Sequence, residues 1–201
     1  MIKNIVFDFG DIFINLDKKE FAEALKKLHI FQESEEMLPI LQHYEMGLVS
    51  TEEFLVFFED QLGVSKDQLV KAWNSILLDF PLERLRFIQE LSKSKKYRLF
   101  LLSNTNDLHI SWIKERWGME LYIAFKSCFE QFYLSHEINL RKPNNNIYEF
   151  VLNENCLKAE ETLFVDDTKE NTDAAKALGI YIWNLTPGKE DVLQLFTKNQ
   201  L

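Results

Sequence analysis

The chain has little glycine and little cysteine, and both shortages exclude common kinds of site. Its six glycines are spaced too far apart to form a GxGxxG dinucleotide fingerprint, a Walker phosphate loop or a GxSxG nucleophile elbow. The two cysteines, Cys128 and Cys156, show neither a CxxC spacing nor the Cys/His spacing of a zinc site. We therefore expect two ordinary buried thiols in a reducing compartment.

Positive charge is also scarce in this sequence. The 23 Lys and Arg residues are outnumbered by 32 Asp and Glu residues, which gives a net charge of −9. No basic run is longer than the pair Lys95-Lys96, so we expect neither nucleic acid nor a membrane surface as a partner. The first apolar run is too short for a signal peptide, and no later run is long enough to span a bilayer. These features predict a cytoplasmic protein.

Short apolar runs alternate with helical patterns through much of the chain. Continuous apolar runs of this length are typical of strands that are buried on both faces of a parallel sheet. Strands that alternate with helices form such sheets through right-handed crossovers. The sequence therefore predicts an α/β fold with a Rossmann-like parallel sheet, whose strands lie near residues 4–8, 97–102, 132–134, 162–165 and 180–183.

A long helical block separates the first two predicted strands. Capping boxes, in which Ser50 pairs with Glu53 and Ser65 with Gln68, predict the starts of two of its helices. The block is too long for a single crossover, so we interpret it as an inserted all-helical cap. The predicted boundaries are 1–16 and 82–201 for the catalytic core and 17–81 for the cap.

Polar side chains follow the predicted strands at the points where these strands end. Parallel sheets bind ligands beyond the carboxyl ends of their strands, so these groups are expected to meet in one crevice. Carboxylates are the ligands that Mg²⁺ prefers, while an ammonium, a hydroxyl and backbone N–H groups suit a phosphoryl group. A carboxylate held on Mg²⁺ can attack phosphorus. The residues concerned are Asp8, Ser103, Asn104, Lys142, Asp166 and Asp167.

Four segments at these strand ends resemble the motifs of the haloacid dehalogenase-like (HAD) superfamily, in the same order and strand context. A fifth segment, YEMGLVSTEEF, resembles part of the helical cap that lies between the first two motifs of that family. The resemblance covers almost the whole chain, and it is closest to a branch that includes bacterial sugar-phosphate phosphatases. The four motif segments are FDFGDIFINLD, LLSNTN, RKPNNNIY and FVDDTKENTDAAKALG.

The resemblance implies a role for each strand-end residue. Asp8 would be the nucleophile and a metal ligand, and the metal would also be held by the Gly10 carbonyl, Asp166 and Asp167. Ser103, Asn104 and Lys142 would hold the phosphoryl group.

The first motif departs from the family pattern, because Gly10 stands where most members have the acid that acts as general acid/base. Asp11, one residue later, is the candidate replacement. A shift of one residue along an extended segment turns a side chain to the opposite face, so the sequence leaves this role open.

The sequence thus predicts a Mg²⁺-dependent phosphatase that acts on a small phosphorylated metabolite, most simply a sugar phosphate, through an aspartyl-phosphate on Asp8. One alternative is a metal-independent 2-haloacid dehalogenase, although its carboxylate substrate would be repelled by the pair Asp166-Asp167. Another is a non-catalytic phosphometabolite-binding protein, for which Gly10 is the sole support. The oligomeric state is left open. We also expect Asp17 to cap the first cap helix and Asn171 to steady the acidic loop.

Overall fold

A five-stranded parallel sheet forms the centre of the molecule in a computed structural model, which describes residues 1–30 and 35–199. The strand order is β3-β2-β1-β4-β5, with the first strand in the middle. This arrangement confirms the predicted α/β fold with a Rossmann-like parallel sheet. The strands are β1 (Asn4–Phe7), β2 (Arg98–Ser103), β3 (Gln131–Leu134), β4 (Thr162–Asp166) and β5 (Tyr181–Asn184).

Helices cover both faces of the sheet and fill the long connection between β1 and β2. None of the helices in the described part of the chain has the length and apolar character needed to cross a membrane. Among the described residues, five helices lie between β1 and β2: α1 (Lys18–Lys27), α2 (Leu38–Glu45), α3 (Thr51–Leu62) and α4 (Lys66–Asn74) in the predicted cap, and then α5 (Leu82–Ser94). The later helices are α6 (Asp107–Trp117), α7 (Met119–Lys126), α8 (Ser135–Ile138), α9 (Asn145–Glu154), α10 (Lys169–Ala177) and α11 (Leu195–Asn199).

The strands carry apolar side chains at successive positions because both faces of the sheet are covered. In β1, Ile5 and Phe7 pack into a cluster with α5, α6 and α7, whereas Val6 packs on the opposite face with α9 and α10. Val6 pairs with Phe100 of β2 and with Phe164 of β4. This register places the carboxyl ends of the three central strands side by side, which is the edge where the predicted site residues lie.

The predicted helical cap has an apolar cluster of its own. Phe54 lies at its centre, with ring centroids 4.1 Å from Tyr44, 4.9 Å from Trp73 and 5.1 Å from Phe58. The capping boxes predicted at the starts of α3 and α4 are both formed. The side chain of Asp17 caps α1 by accepting from the backbone N–H of Glu20. Local sequence therefore fixes where three of the four cap helices in the described residues begin.

The two chain segments that join cap and sheet run beside each other. Leu16 and Leu77 form an antiparallel bridge, and the Asp17 N–H donates to the Ile76 carbonyl at 2.8 Å. Leu77 and Phe80 pack with the cluster on the sheet. The boundaries 1–16, 17–81 and 82–201 stay a prediction, and we propose that the cap turns about these paired segments.

Two local expectations were wrong. The pair Lys142-Pro143 predicts a helix that begins at Lys142, but α9 begins only at Asn145, and Lys142 lies in the preceding turn. Cys156 is exposed, whereas Cys128 is buried as expected. Cys156 has a positive φ of 52° in the turn after α9, where its side chain does not pack in the core.

Gly47 fixes the turn after α2 against the backbone of α8. Its φ is 65°, and a Cβ atom built on it would lie 2.0 Å from the carbonyl oxygen of His136. Two hydrogen bonds flank this contact: Ser135 Oγ donates to the Glu45 carbonyl at 2.6 Å, and Asn139 Nδ2 donates to the Met46 carbonyl at 2.8 Å. The cap and the sheet domain therefore touch backbone to backbone here, with no room for a side chain.

We expect Gly47→Ala to destabilise the protein more than Gly63→Ala. Gly63 is the matched control, because its φ is 64° and nothing lies within 4 Å of a Cβ atom built there. Both variants carry the cost of about 1–2 kcal/mol for a left-handed alanine, and Gly47→Ala adds a clash of the kind that costs about 1–3 kcal/mol. Urea unfolding measures both changes, and equal losses would show that the contact with His136 is not tight.

Candidate active site

Lys142 joins the ends of β1 and β4 through two buried ion pairs. Its Nζ donates to Asp8 Oδ1 at 2.7 Å and to Asp166 Oδ2 at 2.6 Å. The Lys142 side chain is 1% exposed and the Asp166 side chain is fully buried. Burying an ammonium is costly unless charged partners surround it, so these two carboxylates are what allow Lys142 to lie here.

Three carboxylates meet beside this lysine. Asp8, Asp166 and Asp167 each offer an oxygen, and the three oxygens lie within 4.8 Å of one another. Burial raises the pKa of Asp8 to about 7. The charge of Lys142 lowers this pKa, whereas the charges of Asp166 and Asp167 raise it further. Burial also raises the pKa of Asp167. The three carboxylates therefore carry more negative charge than Lys142 can balance.

The donor set fits a hard divalent cation. The site holds two ammonium groups and four carboxylates, so two negative charges have no positive partner. Mg²⁺ takes one or two carboxylates together with a phosphate oxygen, which matches both this charge and these ligands. The groups counted are the ammonium groups of Lys18 and Lys142 and the carboxylates of Asp8, Asp11, Asp166 and Asp167.

Asp166 is held in place by the start of α10. The Thr168 N–H donates to Asp166 Oδ1 at 2.8 Å, and Asn171 Nδ2 lies 3.2 and 3.1 Å from its two oxygens. The Tyr148 hydroxyl in turn donates to the Asn171 carbonyl at 2.8 Å. Asn171 thus contacts the acidic loop as the sequence predicted, and such second partners orient metal-binding carboxylates.

Asp11 has partners for both of its carboxylate oxygens. Oδ1 accepts from the Leu16 N–H at 3.1 Å, and Oδ2 lies 2.8 Å from Lys18 Nζ. Lys18, the first residue of α1, also lies 2.6 Å from Asp167 Oδ2. The φ of Asp11 is 55°, so the chain turns sharply at this residue instead of continuing as a strand. The acid–base role of Asp11 stays a prediction; what the structure adds is a bridge from Asp11 through Lys18 to Asp167.

Asn104 holds the backbone of Lys142. Its Nδ2 donates to the Lys142 carbonyl and its Oδ1 accepts from the Lys142 N–H, both at 2.9 Å. The Ser103 hydroxyl is buried at the end of β2, where its closest hydrogen-bond partner is the Asn104 carbonyl at 3.4 Å. The Ser103 hydroxyl can therefore donate a hydrogen bond to a ligand. Both polar atoms of the Asn104 side-chain amide already bond to the backbone of Lys142.

A cavity of about 150 Å³ lies between the cap and this edge of the sheet. The sheet domain contributes polar groups of the strand ends, and the cap contributes aromatic side chains and one acid. Its lining includes Gly10, Ser103, Asn104, Thr105, Asn106 and His109 from the sheet domain, and Phe21, Glu45 and Trp73 from the cap. The volume suits a small molecule and is too small for a macromolecular chain.

His109 lines the cavity but is held as a neutral ring. Its Nε2 lies 3.0 Å from the Trp73 carbonyl, which can only accept, so Nε2 carries the proton and Nδ1 accepts from Asn106 Nδ2 at 3.2 Å. Burial lowers the pKa of His109 to about 4. The ring therefore positions the cap against α6 and does not exchange protons near neutral pH.

The sequence favours core or surface roles for the cap residues that line this cavity. Trp73 and Glu45 lie 28 positions apart in the sequence, and their patterns are those of helical surface and core residues. Glu45 Oε2 accepts from Arg141 Nε at 3.0 Å, which links the cap to the residue next to Lys142. Phe54 lies in the cap core and is not among the residues that line the cavity.

A family model supports the same interpretation of the chain. The model for haloacid dehalogenase-like hydrolases matches residues 5–184. The D-ribitol-5-phosphate phosphatase of Bacteroides thetaiotaomicron is 31% identical over 186 residues, which cover 89% of each chain.

Solved structures agree in fold over nearly the full length. A HAD family enzyme from Bacteroides thetaiotaomicron, in complex with magnesium and inorganic phosphate, is 35% identical, with a TM-score of 0.79 over 98% of this chain and 100% of that one. A predicted HAD-like hydrolase from Porphyromonas gingivalis is 30% identical, with a TM-score of 0.84 over 98% of this chain and 97% of that one.

Proposed function

The chain belongs to the haloacid dehalogenase-like hydrolase family, and we propose that it is a Mg²⁺-dependent phosphatase acting on a small phosphorylated metabolite. The observation that carries this proposal is the grouping of Asp8, Asp166 and Asp167 around Lys142, whose backbone is held by Asn104, a residue that lines the small cavity. A relative that is a phosphatase, and a similar enzyme that holds magnesium and phosphate, support it.

Asp8 is the nucleophile in the proposed reaction. One oxygen of its carboxylate forms a bond to phosphorus while the bond from phosphorus to the ester oxygen of the substrate breaks. The leaving alcohol takes a proton as it departs, and Asp11 is the candidate donor. Water then attacks the phosphorus of the aspartyl-phosphate and gives a proton back to Asp11, while the bond from phosphorus to the Asp8 oxygen breaks, which releases inorganic phosphate and restores the Asp8 carboxylate.

The remaining site residues position and stabilise the phosphoryl group. Lys142 places a fixed positive charge against Asp8 and the incoming phosphoryl oxygens, and Ser103 donates a hydrogen bond. When bound, Mg²⁺ would be held by Asp8, Asp166, Asp167 and the Gly10 carbonyl, and it would supply charge stabilisation to the transferring group. Asn104 acts through Lys142, because its amide holds the lysine backbone.

The proposed substrate is a sugar phosphate or a sugar-alcohol phosphate. The relative acts on D-ribitol 5-phosphate, and the cavity of about 150 Å³ is of a size for a few carbons with their hydroxyl groups. Because the cap closes over the strand ends, it excludes macromolecules and limits access of water to the acyl phosphate.

Phosphate release from a panel of sugar, sugar-alcohol and aryl phosphates tests this function. We expect turnover with Mg²⁺ and loss of turnover with EDTA, restored by excess Mg²⁺. Halide release from 2-haloacids without metal would instead support the dehalogenase alternative. Tight binding of phosphorylated metabolites without turnover of any of them would support the non-catalytic alternative.

A further inference from the structure

We propose that Lys18 of the cap competes with Mg²⁺ for Asp167 and so lowers the affinity of the site for its metal, an inference that rests on the phosphatase function proposed above. Lys18 is the first residue of α1 and follows closely on Leu16, which pairs with Leu77 where cap and sheet join. Its Nζ lies 2.6 Å from Asp167 Oδ2 and 2.8 Å from Asp11 Oδ2. A cap residue therefore supplies positive charge to carboxylates of the sheet domain.

The contact between Lys18 and Asp167 joins two full charges. Lys18 Nζ donates to Asp167 Oδ2, and the Asp167 side chain is 7% exposed, so its carboxylate meets little water. Burial disfavours the charged form of Lys18, but its hydrogen bonds to Asp11 and Asp167 outweigh burial and raise the pKa of the ammonium. Lys18 is thus a cation at the pH at which the enzyme works.

Asp167 is the acid that a metal has to share with Lys18. The neighbouring Asp166 is fully buried, and its two oxygens accept from Lys142 and from the start of α10. An oxygen of Asp167 lies within 4.8 Å of oxygens of Asp8 and Asp166, which places it in the group that fits a divalent cation. A cation held by these acids therefore binds a carboxylate that already carries an ammonium.

Mg²⁺ and the Lys18 ammonium repel each other whichever oxygen of Asp167 the ion takes. Mg²⁺ lies about 2.0–2.1 Å from its oxygen ligands, and Lys18 Nζ lies 2.6 Å from Asp167 Oδ2. An ion on either oxygen is therefore closer to Nζ than the Debye length of about 8 Å in physiological salt, so salt screens the repulsion only in part. This repulsion weakens metal binding unless the ammonium moves away.

Lys18 is the cation that can move, and Lys142 is the cation that stays. The Lys18 side chain is 55% exposed, so its ammonium can turn into water on a flexible stem at little cost. Lys142 is 1% exposed, has two buried ion pairs and is held at its backbone by Asn104. When Mg²⁺ supplies the missing positive charge, Lys18 therefore leaves Asp167.

The Lys18→Met variant tests this competition, because it keeps a side chain of similar length and removes the ammonium. In calorimetric titrations without phosphate, we expect Mg²⁺ to bind Lys18→Met about tenfold more tightly than the wild type, since a divalent and a single charge a few ångströms apart repel by about this much even in water. Lys18→Arg keeps the charge and should keep an affinity near that of the wild type.

Lys19→Met is the matched control for the titrations. Lys19 is the next residue of α1 and is exposed, so this variant makes the same change in net charge. We expect its Mg²⁺ affinity to stay within about twofold of the wild type, because solvent and salt screen an exposed charge outside the site.

Melting temperatures give a second readout, which a purely structural role of Lys18 would not produce. In EDTA, Lys18→Met lacks one of the two ammonium groups among four carboxylates, so we expect it to melt below the wild type. The same concentration of Mg²⁺ should then raise the Tm of Lys18→Met by more than it raises that of the wild type, because tighter binding stabilises the fold more. A structural role would lower the Tm equally with and without Mg²⁺.

Equal or weaker Mg²⁺ binding by Lys18→Met would overturn the competition, as would an equal gain in affinity in Lys19→Met. Lys18→Gln, which also removes the charge, repeats the comparison if Lys18→Met does not fold. If the wild-type protein neither binds Mg²⁺ nor releases phosphate from any substrate, the proposed function fails and the competition with it. Mg²⁺-dependent phosphate release together with an unchanged Mg²⁺ affinity in Lys18→Met overturns the competition alone.

Discussion

Asp8→Asn is expected to lose turnover by roughly 10⁴-fold or more while the protein keeps its fold, because the amide cannot form the acyl phosphate. The amide oxygen can still accept from Lys142 Nζ, which lies 2.7 Å from Asp8 Oδ1 in the wild-type chain. Phosphate release under saturating substrate and Mg²⁺ measures the loss.

The stability of the same variant separates chemistry from folding. Asp8 is a buried acid beside two others, so removing its charge relieves repulsion, and we expect the free energy of unfolding in EDTA to equal or exceed that of the wild type. Asp67→Asn, an exposed change in the first turn of α4, is the matched control and should keep its activity within about twofold. Residual activity of Asp8→Asn within tenfold of the wild type would exclude Asp8 as the nucleophile.

Lys142→Met is expected to cost both activity and stability. The substitution keeps a chain of similar length but leaves Asp8 and Asp166 as two buried carboxylates without their ammonium. Breaking a buried ion pair from one side costs about 3–5 kcal/mol, and losing a group that stabilises transferring charge costs about 10²–10³-fold in kcat. Urea unfolding in EDTA and phosphate release with Mg²⁺ measure the two effects.

Lys169→Met provides the comparison for this variant. Lys169 forms an ion pair with Asp173 one turn along α10, and the two side chains are 71% and 58% exposed. An exposed pair of this kind is worth about 0.3–0.5 kcal/mol, so Lys169→Met should have little effect on either measurement. If Lys142→Met and Lys169→Met lost similar amounts of stability and activity, the burial of Lys142 would not explain the effect of its substitution.

The convergence of Asp8, Lys142 and Asp166 could be predicted from the sequence because parallel strands bring their carboxyl ends to one edge. Asp8 follows the apolar strand β1 and Asp166 ends the apolar strand β4, whereas Lys142 lies in the turn between α8 and α9, beyond the end of β3. The same holds for the capping boxes of α3 and α4, since a capping box depends on neighbours three residues apart. The parallel sheet topology thus explains why the strand-end residues meet, and short-range side-chain hydrogen bonds explain where α3 and α4 begin.

The cap side of the site could not be predicted, because it depends on how the helical cap packs against the sheet domain. Nothing in the sequence around Lys18 shows that its ammonium reaches Asp11 and Asp167. Asn104 is a similar case, since a side-chain amide suits a phosphate oxygen as well as the backbone groups of Lys142 that it contacts.

A crystal structure grown with Mn²⁺ and inorganic phosphate tests whether Asp8, Asp167 and Lys142 hold a metal ion and a phosphoryl group together. Mn²⁺ accepts the same oxygen ligands as Mg²⁺, and its anomalous scattering locates it without ambiguity. We expect one ion within about 2.0–2.3 Å of carboxylate oxygens of Asp8 and Asp167, with a phosphate oxygen as a further ligand and Lys142 beside the phosphate. An ion bound elsewhere, or a phosphate that lies away from Asp8 and Lys142, would contradict it.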